Sequence, residues 1–124
     1  MNDTRAFLRE FNAYWLHEDT QAILDTVTDD IRFGMAGGKL VTGKADFAEF
    51  LKEMTGSGNT DLALDIANVI VDGDRAAVNG EIAMTSEDGQ RRTYAFCDVY
   101  RLADGKVAEL TAYVEEVNGD KANG

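Results

Sequence analysis

Residues 91–117 read RRTYAFCDVYRLADGKVAELTAYVEEV, two long β-rich runs joined at Ala103-Asp104-Gly105. An Asp-Gly pair flanked by such runs predicts a tight hairpin. Successive strand residues point to opposite faces, so each run splits by parity. One face of the first run collects Tyr94, Phe96, Asp98, Tyr100 and Leu102, bulky and aromatic. The other collects Thr93, Ala95, Cys97, Val99 and Arg101. In the second run Ala108, Leu110, Ala112 and Val114 share the inner face, and Glu109, Thr111, Tyr113 and Glu115 the outer. Asp98 is the anomaly. A carboxylate among inward aromatics must be hydrogen-bonded, paired or kept protonated, because an isolated buried charge is costly.

Working back from this hairpin, Asp72-Gly73-Asp74 and Glu87-Asp88-Gly89-Gln90 mark two further turns. Four strands are therefore expected from Thr60 onward. Val78, Ile82 and Met84 face inward in the second, with Asn79 and Glu81 outward. In the first, Leu62, Leu64 and Ile66 alternate, but Val69-Ile70-Val71 breaks phase. A bulge near Ala67-Asn68 would restore the phase and bend the sheet. The other half is helical. Phe7, Leu8, Phe11 and Trp15 recur at helical spacing within 3–17, with Arg5, Arg9 and Asn12 off the stripe. A shorter helix from Asp19 carries Ile23, Leu24 and Val27, and Asp29-Asp30 ends it. A strand at Ile31–Met35 turns at Gly37-Gly38, and a third helix at 44–55 presents Phe47, Phe50, Leu51 and Met54. The order α-α-β-(β)-α-β-β-β-β predicts an α+β fold with helices gathered on one face of an antiparallel sheet.

The 124 residues suit one domain, expected over 1–117, with 118–124 as a flexible tail. Hydrophobic residues make up 44% and charged residues 28%, and no apolar run approaches a membrane span. The N-terminal MNDTRAFLRE lacks a basic region followed by an apolar stretch, so no secretory leader is expected. With 23 acids against 12 bases the net charge is −11, which argues against nucleic acid and anionic membranes as partners. Cys97 is the only cysteine, so no intrachain disulfide forms and a cytoplasmic location is expected.

Several motifs fail on inspection. One His and one Cys do not make a zinc site of the usual kind, and no metal is expected. His17, near the end of the first helix, complements the helix dipole. Asp72-Gly73-Asp74 is followed by Ala76 and Ala77 where a calcium loop needs oxygen ligands. Gly34–Leu40 lacks the first glycine and the final Ser/Thr of a phosphate loop. No Gly-rich dinucleotide fingerprint stands between a strand and a helix, so no cofactor is expected.

Across nearly the whole chain the order of elements resembles the NTF2-like, SnoaL-like and ketosteroid-isomerase-like superfamily. The strings that carry it are Glu18-Asp19-Thr20, Val27–Phe33, Thr42-Gly43-Lys44 and Tyr100–Val107. The resemblance implies three helices packed on a curved sheet around a cone-shaped pocket, and often a dimer. It also brings isomerases, polyketide cyclases, epoxide hydrolases and non-catalytic proteins under one fold, so fold alone does not decide function. Aligned on the steroid isomerases from Glu18-Asp19, Met35 falls at the base, Phe11 at the tyrosine donor and Asp98 at the second acid. One role of three is retained, which argues against that mechanism. The epoxide hydrolase Asp–Arg–Asp set has no inward arginine here, since Arg92 lies at the start of its strand. The cyclases need an acid at a carbonyl or enolate oxygen, for which a neutral Asp98 suits, with Tyr14 or Tyr94 assisting.

The expected pocket wall is Phe11, Tyr14, Trp15, Phe33, Met35 and Phe50, continued by Met54, Met84, Tyr94, Phe96, Leu110 and Ala112, with Asp98 as the catalytic candidate. The bland alternative is a structural Asp98 satisfied by Tyr94, Tyr100, Trp15 or a backbone N–H. Two functions follow. One is an acid–base isomerase, cyclase or lyase acting on an apolar carbonyl-type molecule. The other is a non-catalytic binding or accessory protein, dimeric through the half-polar outer face of the sheet. A purely structural dimeric module is the third reading.

Overall fold

A computed structural model describes residues 4–54, 62–85 and 88–117, with the side chain of Met54 excepted. Three helices, α1 (Thr4–Leu16), α2 (Thr20–Asp25) and α3 (Lys44–Met54), pack on a curved, unclosed six-stranded sheet. The strands are β1 (Val27–Met35), β2 (Leu40–Thr42), β3 (Ala63–Asp72), β4 (Arg75–Thr85), β5 (Arg91–Ala103) and β6 (Lys106–Val117). Their order across the sheet is β2-β1-β6-β5-β4-β3. All neighbours are antiparallel except β1 and β6, which run parallel and set Phe33 beside Leu110 and Met35 beside Ala112. The expected tail, 118–124, lies outside the described residues.

The β5–β6 hairpin turns where the Asp-Gly pair predicts it. Asp104 and Gly105 both take positive φ, 53° and 76°, as the tightest right-twisting hairpin turn requires. The β3–β4 register slips between Ile66 and Asn68, leaving Ala67 as the extra residue of a bulge at the expected place. Gly80 faces the slip, opposite Ile66. A Cβ there would stand 2.0 Å from the Asp65 carbonyl oxygen, so only glycine lets the two backbones approach this closely.

Besides the parallel β1–β6 pairing in a sheet expected to be antiparallel, and Asp29-Asp30 lying within β1 and not at the end of α2, three details differ from the sequence reading. Val27 belongs to β1, not to the second helix. Thr26 caps α2 by donating its backbone N–H to Ile23, and its own carbonyl accepts the Val107 N–H, which starts the parallel pairing one residue before Val27. In β6 the register shifts at Leu102, so Val107 pairs with Leu102 and Ala108 is skipped. Val107 therefore joins the buried core beside Ala108, with neither exposed beyond 2%. Asn12, expected off the helix stripe, is 6% exposed. It stands four residues after Leu8, so one face of α1 holds both.

The core lies between helices and sheet. Leu8 and Phe11 of α1, Ile23 of α2 and Leu51 of α3 are fully buried against Val78 and Val107 of the sheet. No helix among the described residues is long and apolar enough to cross a membrane.

Candidate functional site

A cavity of about 310 Å³ opens between the helices and the inner face of the sheet. Its aromatic side is built by α1, β1 and α3. Trp15 stacks on Phe33 at 6.0 Å and 24°, and Phe33 meets Phe50 at 5.0 Å. From the sheet come Met84, Phe96, Leu110 and Ala112, and Met35 stands 43% exposed at the rim. The cavity also takes Leu16, Leu62, Leu64, Ile82 and Val114 into its wall. None of these five was singled out as pocket wall by sequence, although the parity of β4 and β6 already turned Ile82 and Val114 inward.

Four expected wall residues stand otherwise. Phe11 is fully buried behind the wall, its ring edge-on to Trp15 at 6.1 Å and to Tyr100 at 6.0 Å. Tyr14 packs against the core without lining the cavity, and Tyr94 is not among the lining residues. Met54 lies outside the described side chains. Arg92 is held by ion pairs to Glu116 at 3.0 Å and Asp88 at 3.1 Å.

Asp98 lines the cavity opposite Ala112 and is the one ionisable side chain among the described lining residues. Burial among apolar side chains disfavours its charged form and pushes its pKa up to about 7. A hydrogen bond with Tyr100 works in the opposite direction but does not offset the burial. Tyr100, two residues on and facing the same way, is 1% exposed, and its own pKa is raised by burial and by the neighbouring carboxyl. Asn12 completes the chain. Its amide Nδ2 donates to the Leu8 carbonyl at 2.8 Å and to the Tyr100 hydroxyl at 3.2 Å. Asp98 thus has a tyrosine partner, one of those the sequence offered, and its carboxyl is shifted towards the protonated form by burial.

His17 is exposed one residue beyond α1, and Asp19 caps α2 by accepting from the Ala22 N–H at 3.2 Å. The Gly34–Leu40 segment joins the end of β1 to the start of β2 through a turn closed by the Gly38 N–H donating to the Met35 carbonyl at 2.8 Å. Among the described residues no group of three His, Cys, Asp or Glu is placed to hold a metal ion.

The raised pKa of Asp98 has a consequence for stability. The folded state holds a proton that the unfolded state releases above about pH 4, so stability falls as pH rises from there to about 7 and is then level. The full penalty above that range is at most about 4 kcal/mol. Asp98→Asn, neutral at every pH, is therefore expected to be more stable than the native chain at about pH 8, with an advantage that shrinks towards pH 5. Urea unfolding at the two pH values measures this. An advantage that does not change with pH contradicts the shift.

Comparison with known proteins agrees with this geometry. A family model for the SnoaL-like domain matches residues 5–110. No curated protein matches. Among solved structures, an NTF2-like protein of unknown function from Burkholderia pseudomallei K96243 superposes with a TM-score of 0.77 at 18% identity, covering 99% of this chain and 97% of its own. An LEH-like epoxide hydrolase from M. tuberculosis superposes with a TM-score of 0.76 at 20% identity, covering 90% of this chain and 81% of that one. An epoxide hydrolase/cyclase-like enzyme of pyran ring formation in the polyether salinomycin gives 0.76 at 18% identity, with 89% and 88% covered. At such identities the likeness is one of fold. The family match spans most of the chain, and the protein belongs to the SnoaL-like domain family.

Proposed function

We propose that this protein takes a small, apolar, carbonyl-type molecule into the cavity and acts on it by acid–base chemistry, as an isomerase, cyclase or lyase with Asp98 as the acid. The observation that carries this reading is a single carboxyl group, with a pKa of about 7, in a wall whose only other polar side chain among the described residues is Asn12. A neutral carboxyl donates a hydrogen bond to a carbonyl oxygen and passes its proton as negative charge develops there. The low dielectric around Trp15, Phe33 and Phe96 strengthens that interaction. When the proton has left, the Tyr100 hydroxyl stabilises the carboxylate.

One observation favours a second reading, in which the cavity binds its ligand without turnover. Proton abstraction from carbon needs a base, and the described lining residues offer no second ionisable side chain. Either way the partner is a small apolar molecule. The net charge of −11 speaks against nucleic acid, and the lone Cys97 suits a cytoplasmic location.

The outer face of the sheet supports a homodimer. It forms a concave surface of about 590 Å³ walled by Ala77, Ala95, Cys97 and Tyr113, with Ile70 60% exposed beside them. Large exposed side chains over a centre of alanines fit a face that a second copy covers. In sedimentation analysis the native chain is expected as a dimer, and Ile70→Asp with Tyr113→Lys as a monomer. A monomeric native chain contradicts this.

Binding of 2-decalone, a neutral bicyclic ketone, tests the role of Asp98, with the fluorescence of Trp15, the chain's single tryptophan, as readout. Affinity should be level below about pH 6, weaken as pH rises through 7, and lose this dependence in Asp98→Asn. Affinity that rises through pH 7, or an unaltered pH profile in Asp98→Asn, would overturn the role. Deuterium incorporation beside the ketone carbonyl then separates the two readings. Exchange that Asp98→Asn abolishes means chemistry, and binding without exchange means a carrier.

A further inference from the structure

Resting on the reading of Asp98 as the pocket acid, we infer that the cavity favours the enol form of a carbonyl-type molecule, or a hydroxyl in its place, over the ketone, with Asp98 and Asn12 reading the same oxygen from two sides. The argument follows the direction of each hydrogen bond outward from α1. Leu8 offers a backbone carbonyl, which only accepts, so the Asn12 atom 2.8 Å from it is the amide nitrogen. The second amide proton is donated to the Tyr100 hydroxyl at 3.2 Å. That hydroxyl has one proton of its own, and it bonds to Asp98. The bond lowers the Asp98 pKa, the effect of a Tyr100 hydroxyl donating to the carboxyl, and with Tyr100 as donor the acid proton of Asp98 sits on the other oxygen.

The same chain fixes the remaining polar atom of Asn12. Both amide protons are committed, and Oδ1 makes no hydrogen bond among the described residues. The side chain is 6% exposed and lines the cavity. No buried side-chain nitrogen or oxygen among the described residues is both sealed and unpartnered, so Oδ1 keeps an open side. The inner end of the cavity thus presents one donor, the Asp98 carboxyl proton, and one acceptor, the Asn12 amide oxygen. A ketone answers the donor only and leaves Oδ1 desolvated without a partner. An alcohol or enol oxygen accepts from Asp98 and donates to Asn12 at once. An acceptor left unpaired in an apolar site costs about tenfold in affinity. Asn12 is on this account the residue that sets specificity, and Tyr100 a positioning residue that aims the carboxyl.

The test compares decalin-2-ol with 2-decalone at about pH 6, where Asp98 holds its proton, using Trp15 fluorescence and correcting each affinity for octanol–water partitioning. The alcohol is expected to bind about tenfold tighter to the native chain, and the two to bind alike in Asn12→Leu. Equal affinities in the native chain, or an alcohol preference that survives Asn12→Leu, would overturn the inference. Should Asn12→Leu fail to fold, the native ratio decides alone. The two levels fail differently. Ketone binding that weakens above about pH 7 without any alcohol preference removes the role of Asn12 and leaves Asp98 in place. Ketone binding that ignores pH removes the acid itself, and absence of binding by either compound counts against both.

Discussion

Taking a carboxyl group out of water is among the most expensive things a small domain does, and the cavity is organised around that expense. With no cation in its described wall, the site cannot hold Asp98 as an ion without a penalty, so the balance moves towards the protonated form. Tyr100 keeps the penalty from growing further by giving the carboxylate one good donor. Asn12 in turn holds Tyr100, and Leu8 holds Asn12. A line of directed bonds therefore runs from the helix backbone to the acid. Each member removes one ambiguity about where the next proton lies.

The sheet supplies the space in which this happens. The bulge at Ala67 bends β3 and β4, and Gly80 allows the close backbone approach that the bend demands. Parallel pairing of β1 with β6 brings Phe33 and Met35 alongside Leu110 and Ala112. Trp15 and Phe50 from the helices then close the aromatic side without filling the interior. Tyr100 and Phe11, both buried and edge-on to each other at 6.0 Å, pack behind the wall, while Met35 stands at the rim.

Much of this was legible in the sequence because strand parity is a strict rule. The alternation of β5 turned Asp98 inward, and the phase break at Val69–Val71 located the bulge. The order of helices and strands was equally readable from Asp-Gly turns and helical spacing. What the sequence did not disclose depended on contacts between distant segments. Nothing local announces that β1 pairs with β6, nor that Val107 replaces Ala108 opposite Leu102. Asn12 reads as off the apolar stripe, yet it stands four residues after Leu8 and is buried with it. Phe11 reads as wall from the sequence because core and wall share one face of α1, and a fraction of a turn decides between them. Tyr94 and Tyr14 were the expected assistants, whereas the hydroxyl that reaches Asp98 is that of Tyr100.

Membership of the SnoaL-like domain family gives the scaffold, and the proposed chemistry rests on one proton. The most direct measurement is the titration of the Asp98 carboxyl carbon by NMR, with Asp98→Asn to assign the signal. The account predicts a midpoint near 7, set by desolvation. A midpoint at or below the ordinary carboxylate value of about 4 would mean a charged, stabilised aspartate and would contradict the account of a neutral acid in the cavity.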